Sequence, residues 1–205
     1  MENLNLSDIH ATPDYIINDD FTDNRYGWEI VSSTKETAII TSKGYQLENK
    51  DKNRWHHFSL FPEIETLSDI IIKCRIEVDV DSGLGQVGMI WGFDKSMTQL
   101  NKFCLSAQGK GCSIAHFEKN HRPVFHRYYD PFFKIDLSRP VVFELRESND
   151  YWFFRMNKQL VYIAHQIHFA SIGAGVGFYL DPGVAISIKK LQISRRGLSK
   201  AFSLN

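Results

Sequence analysis

Three acidic side chains at alternating positions have the types and spacing that could support catalysis in this chain of 205 residues. Glu77, Asp79 and Asp81 lie in the run Glu-Val-Asp-Val-Asp, and every second residue of a β-strand points to the same face of its sheet. Two carboxyl groups about 5 Å apart can serve as the nucleophile and the acid of a retaining glycoside hydrolase. The same alternation is typical of the solvated face of an ordinary strand, so both interpretations stay open.

Metal ligands are not grouped in this sequence. The eight histidines are scattered, and the neighbours His56 and His57 would point to opposite faces of a strand, so they cannot both bind one ion. Calcium binding by Asp79, Asp81 and Asp94 is an alternative, although the loop of closely spaced oxygen ligands that calcium requires is not evident. We therefore expect no cofactor.

The three cysteines carry a prediction about the cellular compartment. Cys74, Cys104 and Cys112 lack the Cys-x-x-Cys spacing of a zinc site and are expected to be buried free thiols, as in a reducing compartment. The N-terminal sequence has no basic region followed by an apolar run, and no stretch approaches the roughly 18 apolar residues of a membrane helix. We expect a cytoplasmic protein; a Cys104–Cys112 bridge is the alternative if the protein is exported.

The charge balance narrows the classes of partner. Lysine plus arginine and aspartate plus glutamate both number 24, so the formal net charge is zero. Binding to nucleic acid or to an anionic membrane through bulk charge requires a basic surface. We therefore expect neither nucleic acid nor a membrane as a partner, and we expect a carbohydrate or another protein instead.

The aromatic residues are the strongest indication of a ligand site. Flat rings on one sheet face can stack against the C–H faces of a sugar, while polar neighbours orient its hydroxyl groups. The residues that we predict to bind ligand in this way are Trp55, Trp91, Lys102, His116, Arg127, Tyr129 and Arg146. The alternative for any one of these rings is that it fills the core.

The elements that would position these residues are β-strands. Residues 68–81 contain a run that alternates between apolar and charged side chains, which predicts a long half-buried strand. Residues 141–161 predict three strands joined by turns at Asn149-Asp150 and Asn157-Lys158. Further strands are predicted at 27–30, 36–41, 44–48, 55–61, 88–93, 101–107, 112–118, 123–129, 173–180 and 184–194.

About a dozen predicted strands without a clear helix indicate an antiparallel sandwich or barrel. Residues 130–140, bounded by two prolines, are predicted to be irregular. We divide the chain into an N-terminal arm at 1–18, one β-sandwich at 19–194 and a basic C-terminal tail at 195–205.

The order of short motifs resembles that of bacterial concanavalin A-like (LamG-like) jelly-roll domains. The matching segments cover roughly residues 19–194 and are Asp20–Asn24 with Gly27-Trp28, Gly44–Leu47, Glu77–Val80, Gly88–Trp91, Tyr151–Val161, Gly173–Phe178, Asp181–Gly183 and Leu191–Ile193. The resemblance implies a two-sheet antiparallel β-sandwich whose concave sheet commonly holds ligands. Lectins, carbohydrate-binding modules, glycoside hydrolases, lyases and interaction domains share this fold, so the fold does not choose among these functions.

We predict a non-catalytic recognition domain that binds carbohydrate on the concave sheet. The motivation is a ligand-binding fold with many aromatic residues and no complete catalytic constellation. One alternative is an intracellular protein–protein interaction module, which the neutral charge and the missing signal peptide favour. The other is a glycoside hydrolase that uses Glu77 and Asp81.

Overall fold

The computed structural model describes residues 14–60, 69–79, 84–93, 95–118, 122–169 and 173–195, apart from the side chains of residues 118 and 122–127. Within these ranges the chain forms fifteen β-strands and one short 3₁₀ helix at Gln166–His168. The strands build two antiparallel sheets that pack against each other around an apolar core. The prediction of an all-β, two-sheet antiparallel sandwich is confirmed.

The larger sheet has nine strands. Their bounds are β1 (Asp14–Asp19), β2 (Val31–Ser32), β3 (Glu36–Thr41), β4 (Gly44–Asn49), β6 (Ile70–Val78), β11 (Val141–Ser148), β12 (Tyr151–Met156), β13 (Gln159–His165) and β15 (Ala185–Arg195). The order across the sheet is β13-β12-β11-β6-β15-β4-β3-β2, and β1 also pairs with β15.

The smaller sheet has six strands. Their bounds are β5 (His56–Leu60), β7 (Gln86–Phe93), β8 (Leu100–Ser106), β9 (Lys110–Glu118), β10 (Arg122–Lys134) and β14 (Gly175–Leu180). Their order is β10-β9-β8-β7-β14-β5, so β7 and β8 lie in the middle of the sheet.

Local sequence chemistry explains most of these elements. In β6 the residues Ile70, Ile72, Cys74, Ile76 and Val78 are buried while the charged residues between them are exposed, as the alternation predicts. The two predicted hairpin turns also form. Their central residues have left-handed backbone with φ of 52° and 65° at Asn149-Asp150 and 47° and 71° at Asn157-Lys158, which matches the twist of the paired strands.

Four predictions about the elements were wrong. Residues 14–18 of the predicted arm belong to β1, which pairs with β15, and residue 195 of the predicted tail still belongs to β15. Residues 130–134 of the predicted irregular segment continue β10, because the backbone pairs with β9 again after a bulge, with Lys134 opposite Lys110. Within the bulge the Asp130 carboxylate accepts hydrogen bonds from the Phe132 and Phe133 amides. Residues 27–30 form no strand. Residues 1–13 and 196–205 lie outside the described residues.

The cysteines are free and buried, as predicted. Cys104 lies opposite Ser113 and Cys112 lies opposite Leu105 in the pairing of β8 with β9, so successive positions turn the two thiols to opposite faces of the sheet. In the described part of the chain no helix is long and apolar enough to cross a membrane.

A buried carboxylate closes one end of the core. Asp19 is fully buried and accepts hydrogen bonds from the Phe21 amide at 2.8 Å and from Trp28 Nε1 at 2.8 Å. Trp28 packs against Phe178 of the six-stranded sheet with ring centroids 5.4 Å apart and against Tyr45 at 5.4 Å. Asp19 therefore holds the aromatic rings through which the two sheets meet at this end.

The same carboxylate predicts a pH dependence of stability. Burial raises the pKa of Asp19 above its ordinary value of 3.8, although its hydrogen bonds with Phe21 and Trp28 oppose the shift. Above pH 3.8 the folded protein holds the proton of the Asp19 carboxyl group more tightly than the unfolded chain does. The contribution of Asp19 to the free energy of unfolding therefore falls as the pH rises through the folded-state pKa. Urea unfolding of Asp19→Asn and of the wild type across this window should show that the difference in stability, wild type minus variant, decreases with pH. A constant difference would contradict the shift.

Candidate functional site

The outward face of the six-stranded sheet carries a row of residues that crosses all six strands. Cross-strand pairing aligns, from one edge to the other, His57, Tyr179, Gly88, Cys104, Ser113 and Tyr129. The intervening positions of the same strands, such as Met89, Phe103 and Phe178, lie in the core, so the aligned row faces away from it. The sheet thus presents aromatic rings near both edges and small side chains between them.

The adjacent row places Lys102 at the centre of the sheet. It aligns Ser59, Gly177, Ile90, Lys102, Ala115 and the backbone of Arg127. Gly88 lies diagonally beside Lys102, and a Cβ atom at Gly88 would overlap the carbonyl oxygen of Phe103, so the backbone approach allows only glycine there. The missing side chain leaves room for the Lys102 side chain to reach towards Gln86.

Five side chains on this face contact one another and are called the Lys102 cluster: Trp55, Gln86, Lys102, Ser113 and Tyr179. Lys102 Nζ donates a hydrogen bond to Gln86 Oε1 at 3.0 Å and lies 4.3 Å from the centroid of the Tyr179 ring. Ser113 Oγ donates to the same Gln86 oxygen at 3.1 Å. Trp55 stacks on Tyr179 with ring centroids 5.4 Å apart and planes 26° apart. The cluster therefore combines an aromatic pair with a polar group fixed by hydrogen bonds.

Asp181, at the end of β14, holds two members of the Lys102 cluster in place. Its Oδ1 atom accepts a 2.6 Å hydrogen bond from the Tyr179 hydroxyl, and its Oδ2 atom accepts a 2.8 Å hydrogen bond from the Gln86 backbone amide. Burial and the hydrogen bond with Asp181 raise the pKa of Tyr179, so its hydroxyl stays neutral at physiological pH. Tyr179 is thus a fixed ring in the cluster and is not an acid.

Cys104, between Gly88 and Ser113 in the row, does not provide a nucleophile. Its thiol is fully buried, and this burial raises its pKa to about 12, against a smaller opposing effect of Lys102. A thiol reacts as a nucleophile through its thiolate, which is scarce at neutral pH when the pKa is this high. Cys104 is a small buried side chain beneath the cluster.

The seven predicted ligand residues do not all lie together in the structure. Trp55 and Lys102 belong to the Lys102 cluster, and Tyr129 lies on the same face, opposite Ser113, with 54% of its surface exposed. The backbone of Arg127 lies opposite Ala115, and its side chain is outside the described residues.

Three predicted ligand residues do not lie on this face. Trp91 is fully buried in the core against Trp152 and Phe154, because it occupies an inward position of β7. His116 is fully buried and shares a 2.8 Å hydrogen bond between its Nδ1 atom and Asn101 Oδ1. Arg146 lies on β11 of the nine-stranded sheet, on the other side of the sandwich from Lys102. These three assignments are corrected.

Sequence reasoning missed three members of the Lys102 cluster, namely Gln86, Ser113 and Tyr179. The alternation of Gly175, Gly177 and Tyr179 along one predicted strand could have indicated that Tyr179 shares a face with two glycines. No local pattern points to Gln86 or Ser113, because they meet only through the pairing of β7, β8 and β9.

The described part of the acidic run, Glu77 and Asp79, lies on the opposite surface of the protein. Glu77 is on the outward face of the nine-stranded sheet, half-exposed, and its Oε2 atom lies 2.7 Å from Lys189 Nζ. It lines a depression of about 680 Å³ together with side chains that include Lys43, Gln46, Asp79, Ser187 and Lys189. Asp81, the second residue of the predicted catalytic pair, lies outside the described residues, as does Asp94 of the calcium hypothesis. Among the described residues no group of three histidine, cysteine or acidic side chains could hold a metal ion.

Comparisons with known proteins identify the fold. No protein-family model and no curated protein matches the sequence. The carbohydrate-binding module CBM66 from Bacillus subtilis superposes with a TM-score of 0.60 and 16% identity, covering 82% of this chain and 95% of the module. A β-glucanase from Bacillus licheniformis superposes with a TM-score of 0.64 and 9% identity, covering 90% of this chain and 100% of the glucanase chain. A Bacillus subtilis protein of unknown function with a galectin-like fold superposes with a TM-score of 0.63 and 10% identity, covering 89% of this chain and 98% of that protein's chain.

These structures are concanavalin A-like jelly-roll domains, and this chain has the same fold. The resemblance inferred from the order of motifs is therefore confirmed. Binding modules and hydrolases both occur among the similar structures, so the site has to carry the argument about function.

Proposed function

We propose that this protein is a non-catalytic domain that binds carbohydrate on the outward face of the six-stranded sheet. The observation that carries the proposal is the Lys102 cluster, in which the stacked rings of Trp55 and Tyr179 adjoin the hydrogen-bonded side chains of Lys102, Gln86 and Ser113. Rings that present a face to the ligand and polar groups with fixed orientations are the two components that a sugar site requires.

The charges on this face support binding without hydrolysis. Glycoside hydrolysis needs two carboxyl groups on either side of the scissile bond. At the described positions of the two outward rows the charged side chain is Lys102, and the nearby Asp181 already accepts hydrogen bonds at both oxygens. The hydrolase hypothesis would place its chemistry on the other sheet, at Glu77, and release of new reducing ends from a bound oligosaccharide would favour it.

Replacement of Trp55 tests the proposed site. We expect Trp55→Ala to weaken oligosaccharide binding about 10- to 30-fold, because the variant loses the ring that stacks on Tyr179 beside Lys102. Binding is measured by calorimetric titration after a thermal-shift screen against a broad oligosaccharide panel.

The matched control is Tyr151→Ala, which removes a ring that is 44% exposed on the nine-stranded sheet and should leave affinity unchanged. A loss of binding in Tyr151→Ala but not in Trp55→Ala would move the site to the other sheet. Mass spectrometry of the recovered oligosaccharide reports any cleavage in the same samples.

A protein-contact surface is the second candidate, and the edge strand β13 favours it. Leu160 and Ile163 on this strand and Ile167 just after it are exposed apolar side chains at the end of the nine-stranded sheet. Exposed apolar groups at a sheet edge are typical of surfaces that contact another protein. If no saccharide in the panel binds, this candidate takes precedence.

A further inference from the structure

We infer that the Lys102 cluster recognises an acidic sugar, a saccharide unit that carries a carboxylate or sulfate group, in preference to a neutral one. This inference rests on the proposed function and specifies its class of ligand. It follows from the burial and hydrogen bonding of Lys102 and from the donors that the cluster still has available.

Lys102 is more than nine-tenths buried, with 8% of its surface exposed. Placing an ammonium group in such an environment is unfavourable unless other groups compensate its charge. The compensation consists of one hydrogen bond to Gln86 Oε1 and the rings of Tyr179 and Phe117, at 4.3 and 5.4 Å from Nζ. No carboxylate of the described residues forms an ion pair with Lys102.

The hydrogen bonds of the cluster leave donors rather than acceptors for a ligand. An ammonium group has three donors, and Gln86 accepts one of them. Gln86 Oε1 already accepts hydrogen bonds from both Lys102 and Ser113, which fixes the orientation of the side-chain amide. The amide nitrogen Nε2 then remains available, because it donates to no described residue. Two donors of Lys102 and the amide donors of Gln86 can therefore bind an acceptor-rich group.

Asp181, the carboxylate that lies beside the cluster among the described residues, does not provide the missing counter-charge. Asp181 uses both oxygens for Tyr179 and for the Gln86 backbone amide, and it makes no ion pair with Lys102. The positive charge of Lys102 therefore has no paired negative charge among the described residues, and an anionic group of a ligand can supply one.

The neighbouring groups fit the ring to which such an anion is attached. Gly88 and Gly177 contribute no side chains on this face of the sheet, so none lies between Lys102 and the aromatic pair at these two positions. Trp55 and Tyr179 lie on one side of Lys102 as a stacked pair. A sugar unit can contact the aromatic pair while its acidic substituent binds Lys102 and Gln86.

The experiment compares matched pairs of ligands on the wild-type protein. The probes are oligogalacturonides, glucuronate-containing oligosaccharides and sulfated galactans, each paired with its carboxyl-reduced or desulfated counterpart and titrated calorimetrically. We expect the acidic member of at least one pair to bind about 10- to 100-fold more tightly, and this preference should shrink at high salt. The carboxylate and sulfate pairs separately identify which acid is recognised.

Lys102→Met then assigns the preference to this side chain. The variant should bind the acidic and neutral members of a pair with equal affinity while keeping the binding that Trp55 supports. Lys189→Met is the matched control, since it removes a partly buried lysine, paired with Glu77, on the nine-stranded sheet and should keep the preference. If Lys102→Met does not fold, the salt dependence of the wild type and a Gln86→Leu variant test the same contact.

The outcomes separate this inference from the proposed function. Binding that depends on Trp55 but does not distinguish acidic from neutral members would overturn the acidic-sugar inference and leave carbohydrate binding standing. A preference for acidic sugars that persists in a folded Lys102→Met variant would also overturn it. If no member of any pair binds but another oligosaccharide of the broad panel does, the acidic-sugar inference fails and carbohydrate binding stands. If no saccharide binds at all, both proposals fail.

Discussion

Replacing Asp19 by alanine is expected to lower the free energy of unfolding by about 3 to 5 kcal/mol, a large fraction of the stability of a typical domain. The variant leaves two buried donors, the Phe21 amide and Trp28 Nε1, without their acceptor. Phe21 itself has left-handed backbone with φ of 58°, an unfavourable conformation for a residue with a side chain. The hydrogen bond that its amide donates to Asp19 helps to stabilise this conformation. Urea unfolding followed by tryptophan fluorescence measures the loss.

Asp20→Ala provides the control for this variant. Asp20 is the next residue, and its exposed carboxylate accepts hydrogen bonds from Thr22 and forms a surface ion pair with Arg25 at 3.8 Å. A surface change of this kind should alter the free energy of unfolding by no more than about 0.5 kcal/mol. Equal losses in the two variants would show that Asp19 contributes no more than an ordinary surface acid.

Trp91→Ala should also destabilise the protein by about 3 to 5 kcal/mol, and it should do so without weakening ligand binding by the folded molecules. Trp91 is fully buried, with its ring 5.6 Å from Trp152 and 5.7 Å from Phe154 and Phe169, so alanine leaves a large cavity between the sheets. Chemical unfolding gives the stability, and titration below the unfolding transition gives the affinity.

The comparison with Trp55→Ala distinguishes a core tryptophan from a binding tryptophan. Trp55 is only partly buried, so its loss should affect affinity far more than stability, the reverse of Trp91. Trp91→Phe, which keeps a ring in the core, should recover part of the lost stability. If Trp91→Ala folded with normal stability but did not bind the ligand, the assignment of Trp91 to the core would be wrong.

The pairing partners of the chain ends could not be read from their sequence. Residues 1–18 as a whole are polar enough to resemble an arm, yet residues 14–18 belong to β1 because β15 offers an unpaired edge to their backbone. The pairing runs from Asp14 opposite Arg195 to Asp19 opposite Leu191. Hydrogen bonding of this kind depends on which backbone lies nearby and only weakly on the side chains. The end of β10 was missed for a related reason, since pairing across a bulge carries the strand past Pro131.

In the strand β7, too, the sequence could not show which aromatic ring lies in the core. Trp91 and Phe93 are both aromatic and two residues apart, which predicts the same face, but Gly92 has φ of 76° and the pairing with β14 shifts register beside it. Trp91 consequently packs in the main core, whereas Phe93 packs with the smaller apolar group near Trp55. Residue type alone could not tell a ring that binds ligand from one that fills the sandwich.

The sequence by itself determined most of the strands, the two-residue turns and the jelly-roll class, because alternation, turn residues and their order act over short distances along the chain. Only the tertiary structure decided which side chains form the site. Three strands contribute Gln86, Lys102 and Ser113, which meet through the cross-strand register. Arg146, which was predicted to join them, lies in the opposite sheet. The contacts that make a binding face join residues far apart in sequence, and no local pattern encodes which strands become neighbours.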